Sequence, residues 1–244
     1  SLTISGITVA DKTYDGNIAT TVDASNATLT GLIAGDVVQV FANGFFADKN
    51  VNWDAVNQME LTKTVNLAET YSGADRRNYV ITAQGSAQAK ILQKALTIGG
   101  TTVADKVYDQ TDVAAVTAGV LGNLVGIEAL GVTAVGTFAD WNVVRDGSNN
   151  ALAQDVGVTY TLINGGNGPT SGIATNYSLA AETLANAATI TPKALTISGI
   201  SASNKEYDGN DIASVDVSGV TNGVLIAGGL IDGDHVTVTA TGLF

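Results

Sequence analysis

The side chains that could do chemistry in this chain are carboxylates, amides, tyrosines and lysines. His235 is the only imidazole and there is no cysteine, which removes the usual Ser-His and Cys-His pairs and most transition-metal sites. Hard oxygen donors remain. Asp48, Asn50 and Asp75, then Asp140 and Asn142 with Asp155, fall in predicted loops of the kind from which calcium draws about six to eight oxygens. They are the candidate metal ligands, and Ca2+ is the one cofactor that these residues suggest. No Asp-x-Asp-x-Asp-Gly loop is present, and a solvated acidic surface accounts for the same residues. Paired carboxylates can cleave glycosides, but no pair recurs here beside a groove-forming aromatic set. The expectation is a protein that is not an enzyme.

A second group of residues is written three times. Lys12-Thr13-Tyr14-Asp15-Gly16 returns as Lys106-Val107-Tyr108-Asp109 and as Lys205-Glu206-Tyr207-Asp208-Gly209. An exposed tyrosine could serve as a platform for sugars, whereas a tyrosine whose hydroxyl is met by a neighbour anchors a turn. Recurrence in every copy favours the anchor. Glycine after aspartate supplies the positive φ that such turns need, so Gln110, in the place of Gly16 and Gly209, predicts a different turn in the second copy. The recurring Lys12, Lys106 and Lys205, with Asn78 and Asn176, raise a further possibility, an internal Lys-Asn isopeptide bond. That bond needs a buried, neutral lysine and a carboxyl group to shuttle its proton. An intact mass equal to that of the unmodified sequence rules it out.

The spacing of these motifs, 94 residues from Tyr14 to Tyr108 and 99 from Tyr108 to Tyr207, is that of whole domains rather than of solenoid repeats of roughly 20 to 50 residues. The 244 residues therefore divide into modules 1–94 and 95–193 and the first half of a third, 194–244. Both ends read as cut, and no signal peptide or sorting motif is seen. With 45% hydrophobic residues the chain is too apolar for disorder, and it lacks the unbroken run of about 20 that a membrane helix requires. A net charge of −12 repels nucleic acid and anionic membranes. Sugars, cations and other proteins stay open as partners.

The elements that must hold these residues are strands. Leu2 and Ile4 alternate with Thr3 and Ser5, and three series are apolar at every second residue: Val38, Val40 and Ala42; Leu130, Val132 and Ala134; Val236, Val238 and Ala240. Each reads as a strand with one face on a core. Asp36, Glu128 and Asp234 precede these strands, and Gly44, Gly136 and Gly242 are expected to end them. Phe46, Phe138 and Phe244 follow as core residues. Only Asp54 to Leu61 offers a turn or two of helix, while Asp146 to Asn150 reads as a loop. No flexible linker separates the copies, and Pro192 stiffens the second seam. Roughly six to eight short strands per copy describe an all-β fold of tandem immunoglobulin-like antiparallel β-sandwich modules. A β-grasp module is the alternative, and it requires a helix across its sheet.

Four motifs in register carry a resemblance. Ala-Leu-Thr-Ile-Ser-Gly before Lys-x-Tyr-Asp-Gly, Phe-Ala-Asp-Lys-Asn-Val, Ser-Gly-Ala-Asp-x-x-Asn-Tyr and Ala-x-Ile-Thr-Pro-Lys resemble the YDG repeat of large secreted bacterial adhesins of the filamentous-haemagglutinin type. Departures are Gln110 for glycine, Trp141 for the lysine of Phe-Ala-Asp-Lys-Asn, the glycine-rich stretch Asn164 to Ser171, and Arg76-Arg77. The resemblance implies an extracellular or cell-surface location and a stalk or spacer supporting adhesion or a biofilm matrix. Partners would be other copies of the chain or adjacent modules, exopolysaccharide, or a host surface. Self-assembly of modules into the fibre, and direct binding of carbohydrate, are the alternatives.

Overall fold

The computed structural model describes residues 1–218, 220 and 229–244. They are nearly all β, and the helical turns among them are two short 3-10 segments, Arg76–Asn78 and Ala174–Asn176. No α-helix crosses a sheet among the described residues, so the feature a β-grasp module requires is missing. The chain divides into two compact units, residues 1–101, 117–134 and 159–181 in one, and 102–116, 135–158 and 182–244 in the other. The second sequence copy thus contributes to both.

In the first unit, the first copy is built from two facing sheets. Leu2–Ser5 lies between Ile81–Thr82 and Thr28–Thr30, and the other sheet runs Ser86–Ala89, Lys63–Ser72, Gln39–Phe46, Ala19–Thr20. Alternation does what it predicts: Leu2 and Ile4 are buried while Thr3 and Ser5 are exposed. Leu2, Ile4 and Ile7 pack against Val38, Val40, Ala42, Leu67 and Tyr71 across the gap between the sheets. A long antiparallel ladder joins Gln39–Phe46 to Lys63–Ser72, paired from Val65–Phe46 to Ser72–Gln39. Phe46 is buried in the core, as is Phe138 in the second unit, but Phe244 is 67% exposed and the series Val236, Val238 and Ala240 forms no strand.

The five-stranded sheet, most of whose residues belong to the second unit, runs Lys106–Val107, Glu182–Thr191, Ala153–Ile163, Gly131–Phe138, Val113–Ala114. A bulge between Gln154 and Val156 shifts its register. The buried Gln154 side chain faces the neighbouring loop, accepting from the Asp140 N–H and donating to the Asn142 carbonyl.

Four further expectations are corrected. Pairing is not purely antiparallel: Leu2–Ser5 runs parallel to Ile81–Thr82, Ile91–Leu92 to Lys12–Thr13, Lys94–Ala95 to Tyr177–Ser178, and Lys106–Val107 to Glu182–Thr191. A strand that opens a copy meets, after a long excursion, a segment travelling in its own direction, and such a crossover is what parallel pairing demands. Gly44 and Gly136 do not end their strands but sit inside Gln39–Phe46 and Gly131–Phe138. A Cβ on Gly44 would lie 2.7 Å from Val22 Cγ2, and one on Gly136 would lie 2.3 Å from Val116 Cγ2. Close approach of a packed strand, rather than a turn, requires glycine there. The stretch from Asp54 to Leu61 is no helix: Trp53–Asp54 pairs with Met59–Glu60 in a small hairpin. Asp54 Oδ1 accepts the N–H groups of Val56 and Asn57, and such side-chain competition for local N–H groups draws the backbone away from helix.

The fourth correction concerns the second Lys-x-Tyr-Asp turn. Gly16 and Gly209 both take φ +80°, and Gln110 takes φ +63° in the same left-handed region. The turn therefore keeps its hand without glycine, at a cost on the order of 1 kcal/mol.

Candidate functional site

Each Lys-x-Tyr-Asp turn is closed by its own lysine. Lys12 Nζ meets Asp15 Oδ1 at 2.7 Å, Lys106 meets Asp109 at 2.6 Å, and Lys205 meets Asp208 at 2.7 Å. The same ammonium groups donate to the carbonyls of Asn17, Thr111 and Asn210. These lysines are thereby spent on their turns rather than on Asn78 or Asn176, the partners an isopeptide bond would need. Their effect is to hold the tyrosine between them and the aspartate in a fixed direction.

Tyr14 uses that direction to reach into the second copy. Its ring is 1% exposed, and its hydroxyl donates to Glu128 Oε1 at 2.7 Å. Tyr177 donates to Glu128 Oε2 at 2.7 Å, and Lys49 Nζ donates to Oε1 at 2.8 Å. One carboxylate, its side chain 11% exposed, thus receives two phenols and an ammonium. The Tyr14 and Tyr177 rings meet edge to face with centroids 5.3 Å apart, and the Lys49 ammonium stands 5.8 Å from the Tyr14 ring centre. Both contacts are favourable geometries for aromatic rings. Tyr177 also accepts the N–H of Val125 at 3.1 Å, so its hydroxyl is used as donor and acceptor.

Around this clasp the two copies share one core. Tyr14, Phe46, Val51, Leu96 and Tyr177 are buried in it, with Leu124, Val125 and Leu130 packed against them. Buried Asn176 crosses the same junction, accepting from the Val51 N–H at 2.8 Å and donating to Asn50 Oδ1 at 3.0 Å. The titration of these groups reflects the geometry. Burial would raise the Glu128 carboxyl, but the hydrogen bonds from Lys49, Tyr177 and Tyr14 outweigh it and hold the group below its ordinary value. Burial, then the bond to Glu128, pushes both Tyr14 and Tyr177 up. The bond to Glu128 raises Lys49.

The second unit repeats the arrangement between the second and third copies with different parts. Tyr108 donates to Asp234 Oδ1 at 3.1 Å. Gln110 Nε2 donates to the same oxygen at 2.9 Å and to the Asp232 carbonyl at 3.0 Å. Trp141, where the first copy has Lys49, stacks on the Tyr108 ring with centroids 6.0 Å apart. The acidic residue sits on the same tight turn each time, with its N–H donating to a carbonyl three residues earlier: Asp36 to Ile33, Glu128 to Val125, Asp234 to Ile231.

The candidate calcium ligands are not brought together. Asp48 Oδ1 is taken by Lys63 Nζ at 2.7 Å and by the Asn50 N–H. Asp75 Oδ2 accepts the Val37 N–H, Asp140 Oδ1 accepts the N–H and side-chain amide of Asn142, and Asp155 Oδ1 accepts the Asn186 N–H. Among the described residues no three His, Asp or Glu side chains gather into a metal-binding group. These carboxylates and amides staple loops.

Sequence reasoning placed Tyr14, Asp15, Gly16, Tyr108, Asp109, Tyr207, Asp208 and Gly209 as structural repeat positions, but it read Glu128 and Asp234 only as residues preceding a strand. The available signal was an acid recurring at one position of each copy while a tyrosine recurred at another. In comparisons with known proteins, a family profile described as YDG domain matches residues 1–87 and 191–244, which is more than half of the chain. No curated protein and no solved structure matches. Gln110, Trp141 and Glu128 all lie in the stretch between the two matched segments.

Proposed function

The chain belongs to the YDG domain family, and from that premise we propose that it is a structural stalk or spacer segment of an extracellular bacterial adhesin or biofilm-matrix filament. The observation that carries this reading is the clasp at Glu128. A residue that served a ligand would be open to solvent, whereas Tyr14 is buried and its hydroxyl is spent on the following copy. The same chemistry recurs at Tyr108 and Asp234 with altered neighbours. Successive copies joined by hydrogen-bonded seams, the first of them buried, resist rotation about the junction, which suits a part that carries length and load. Direct sugar binding by these tyrosines finds less support, since Tyr14 is enclosed and the Tyr108 face is covered by Trp141.

Stretching single molecules from end to end tests the reading. A spacer should give discrete unfolding events, and Glu128→Ala should lower the force of the earliest one. A chain that extends without resolvable resistance overturns the proposal. Saturable binding of the labelled chain to exopolysaccharide or host cells through Tyr14 or Tyr108 would make the modules themselves adhesive instead.

A further inference from the structure

The outward face of the first copy's larger sheet carries side chains that the clasp does not use. Every second residue of Gln39–Phe46, Lys63–Ser72 and Ser86–Ala89 is exposed on that side, and each is a phenylalanine, an amide, a hydroxyl or an alanine. None is charged. The two charged residues of these strands, Lys63 and Glu69, lie on the other face. There Lys63 binds Asp48, and Glu69 accepts the Tyr71 hydroxyl and the Gly85 N–H.

At the centre of this face an aromatic, an amide and an aromatic stand in a row. Phe41 is 56% and Phe45 39% exposed, with exposed Asn43 between them. Their partners on the next strand are Thr70, Ala68 and Asn66, opposite Phe41, Asn43 and Phe45 in turn. The side-chain amides of Asn43 and Asn66 make no hydrogen bond among the described residues, and the short Ala68 leaves the space beside Asn43 unfilled. Successive copies do not use this face against each other. Thr133, Val135 and Thr137, at the corresponding positions of the second copy, are exposed as well, with one copy before them and another after them in the chain.

We propose that this row is a binding site for an extended, uncharged polysaccharide. The C–H faces of sugar rings pack on the electron-rich faces of Phe41 and Phe45. An amide donates and accepts at once, so Asn43 and Asn66 each meet sugar hydroxyls. Phe41 and Phe45 are about 13 Å apart along the strand, farther than one sugar ring reaches, so they hold different residues of one polymer. An acidic polymer is repelled by a net charge of −12, and a face without a cation offers it nothing in return. A second copy meeting here would bring two acidic chains together and bury amides and hydroxyls against one another at a cost. The second copy's Thr133, Val135 and Thr137 lack both rings and amide, which confines the site to the first copy. The inference goes beyond the spacer reading: the seams carry length, and the flank of the first copy holds the glycan. Stretching reads the seams and binding reads the face, so either reading can fail alone.

Affinity electrophoresis of the whole chain in native gels tests this, with mixed-linkage β-glucan and galactomannan as neutral polymers, polygalacturonate as the acidic one and free glucose as competitor. Retardation is expected in at least one neutral polymer and not in polygalacturonate. It should be indifferent to salt, since no ion pair is made, and little changed by glucose, which reaches one ring only. Phe41→Ala combined with Phe45→Ala should weaken binding by about tenfold or more, the worth of two aromatic contacts. Asn43→Ala should weaken it about fivefold, the worth of one neutral hydrogen bond. Thr133→Ala combined with Thr137→Ala should leave it unchanged. No retardation in either neutral polymer, equal retardation in polygalacturonate, or retardation that survives loss of both phenylalanines would each overturn the proposal. So would self-association, read by sedimentation, that disappears with the same two substitutions, because it would give the face to a second copy.

Discussion

The junctions at Glu128 and at Asp234 solve one geometric problem with different materials. Both aim a tyrosine from a lysine-closed turn at an acidic residue on the tight turn of the following copy. At Glu128 the carboxylate is enclosed and neutralised by Lys49, and the longer glutamate reaches two buried phenols at once. At Asp234 the lysine has become Trp141, so the aromatic face is covered by stacking, and Gln110 supplies the second donor that Lys49 would have given. Gln110 thereby recovers through its side chain some of what it loses by standing where glycine is favoured. The direction of the tyrosine is the invariant requirement, and the means of satisfying the acid is negotiable.

The largest way to break this comparison is to remove the acids. Glu128→Ala leaves two buried hydroxyls and an ammonium without their acceptor and is expected to destabilise the first unit by about 3 to 5 kcal/mol. Asp234→Ala should cost a small fraction of that, because Tyr108 stays stacked on Trp141 and Gln110 keeps the Asp232 carbonyl. Denaturant unfolding, with hydrogen exchange at the Val125 amide as the local probe, separates the two. Equal losses at both sites would mean that enclosure of the acid does not distinguish the junctions.

A smaller effect comes from pH. Because Glu128 is held below its ordinary value of 4.5, the unfolded chain binds the proton more readily. The stability that this residue contributes is full above pH 4.5 and is lost as the pH falls below it through the depressed folded value. Tyr14 and Tyr177 are raised above 10.0, so their contribution is full below pH 10 and declines as the pH rises beyond it. Stability against denaturant, followed by tyrosine fluorescence, should therefore be flat between these limits as far as this clasp is concerned. Glu128→Gln should remove the acid limb.

The smallest effect sharpens the comparison instead of breaking it. Gln110→Gly combined with Trp141→Lys rewrites the second junction in the manner of the first. Relief of roughly 1 kcal/mol at the positive φ and a new ammonium beside Asp234 offset the lost amide bonds and stacking. Net stability should change by less than about 1 kcal/mol, yet it should become dependent on salt. Each substitution made alone should cost more than the pair together, and a double-mutant cycle measures that coupling. Simple additivity would show that Gln110 and Trp141 are not a joint replacement.

How much of this was readable beforehand depends on whether the cause was local. Alternation in Leu2 to Ser5 and in the Val38, Val40 and Ala42 series gave strands with their buried faces correct, because period 2 fixes which side chain points where. The role of Gly44 was misread as a stop, since what requires it is Val22 arriving from another strand. Asp54 to Leu61 looked helical only while the hydrogen bonds of the Asp54 side chain were unaccounted for. For Tyr14 and Tyr108, recurrence pointed to an anchor, and that much of the candidate site was legible. Its acceptor was not, because 114 positions separate Tyr14 from Glu128, and no local propensity spans that distance.

The sequence by itself determined the recurring motifs, the all-β character, the Tyr-Asp turns and the membership in the YDG domain family, all of which follow from short-range pattern and composition. Tertiary structure alone decided that the acids met by Tyr14 and Tyr108 belong to the following copy. It also decided that Gln110 keeps a left-handed turn, and that the loop carboxylates answer lysines and backbone N–H groups. The physical reason is that hydrogen-bond partners and burial are set by which surfaces meet, and a one-dimensional pattern specifies surfaces without specifying their meeting.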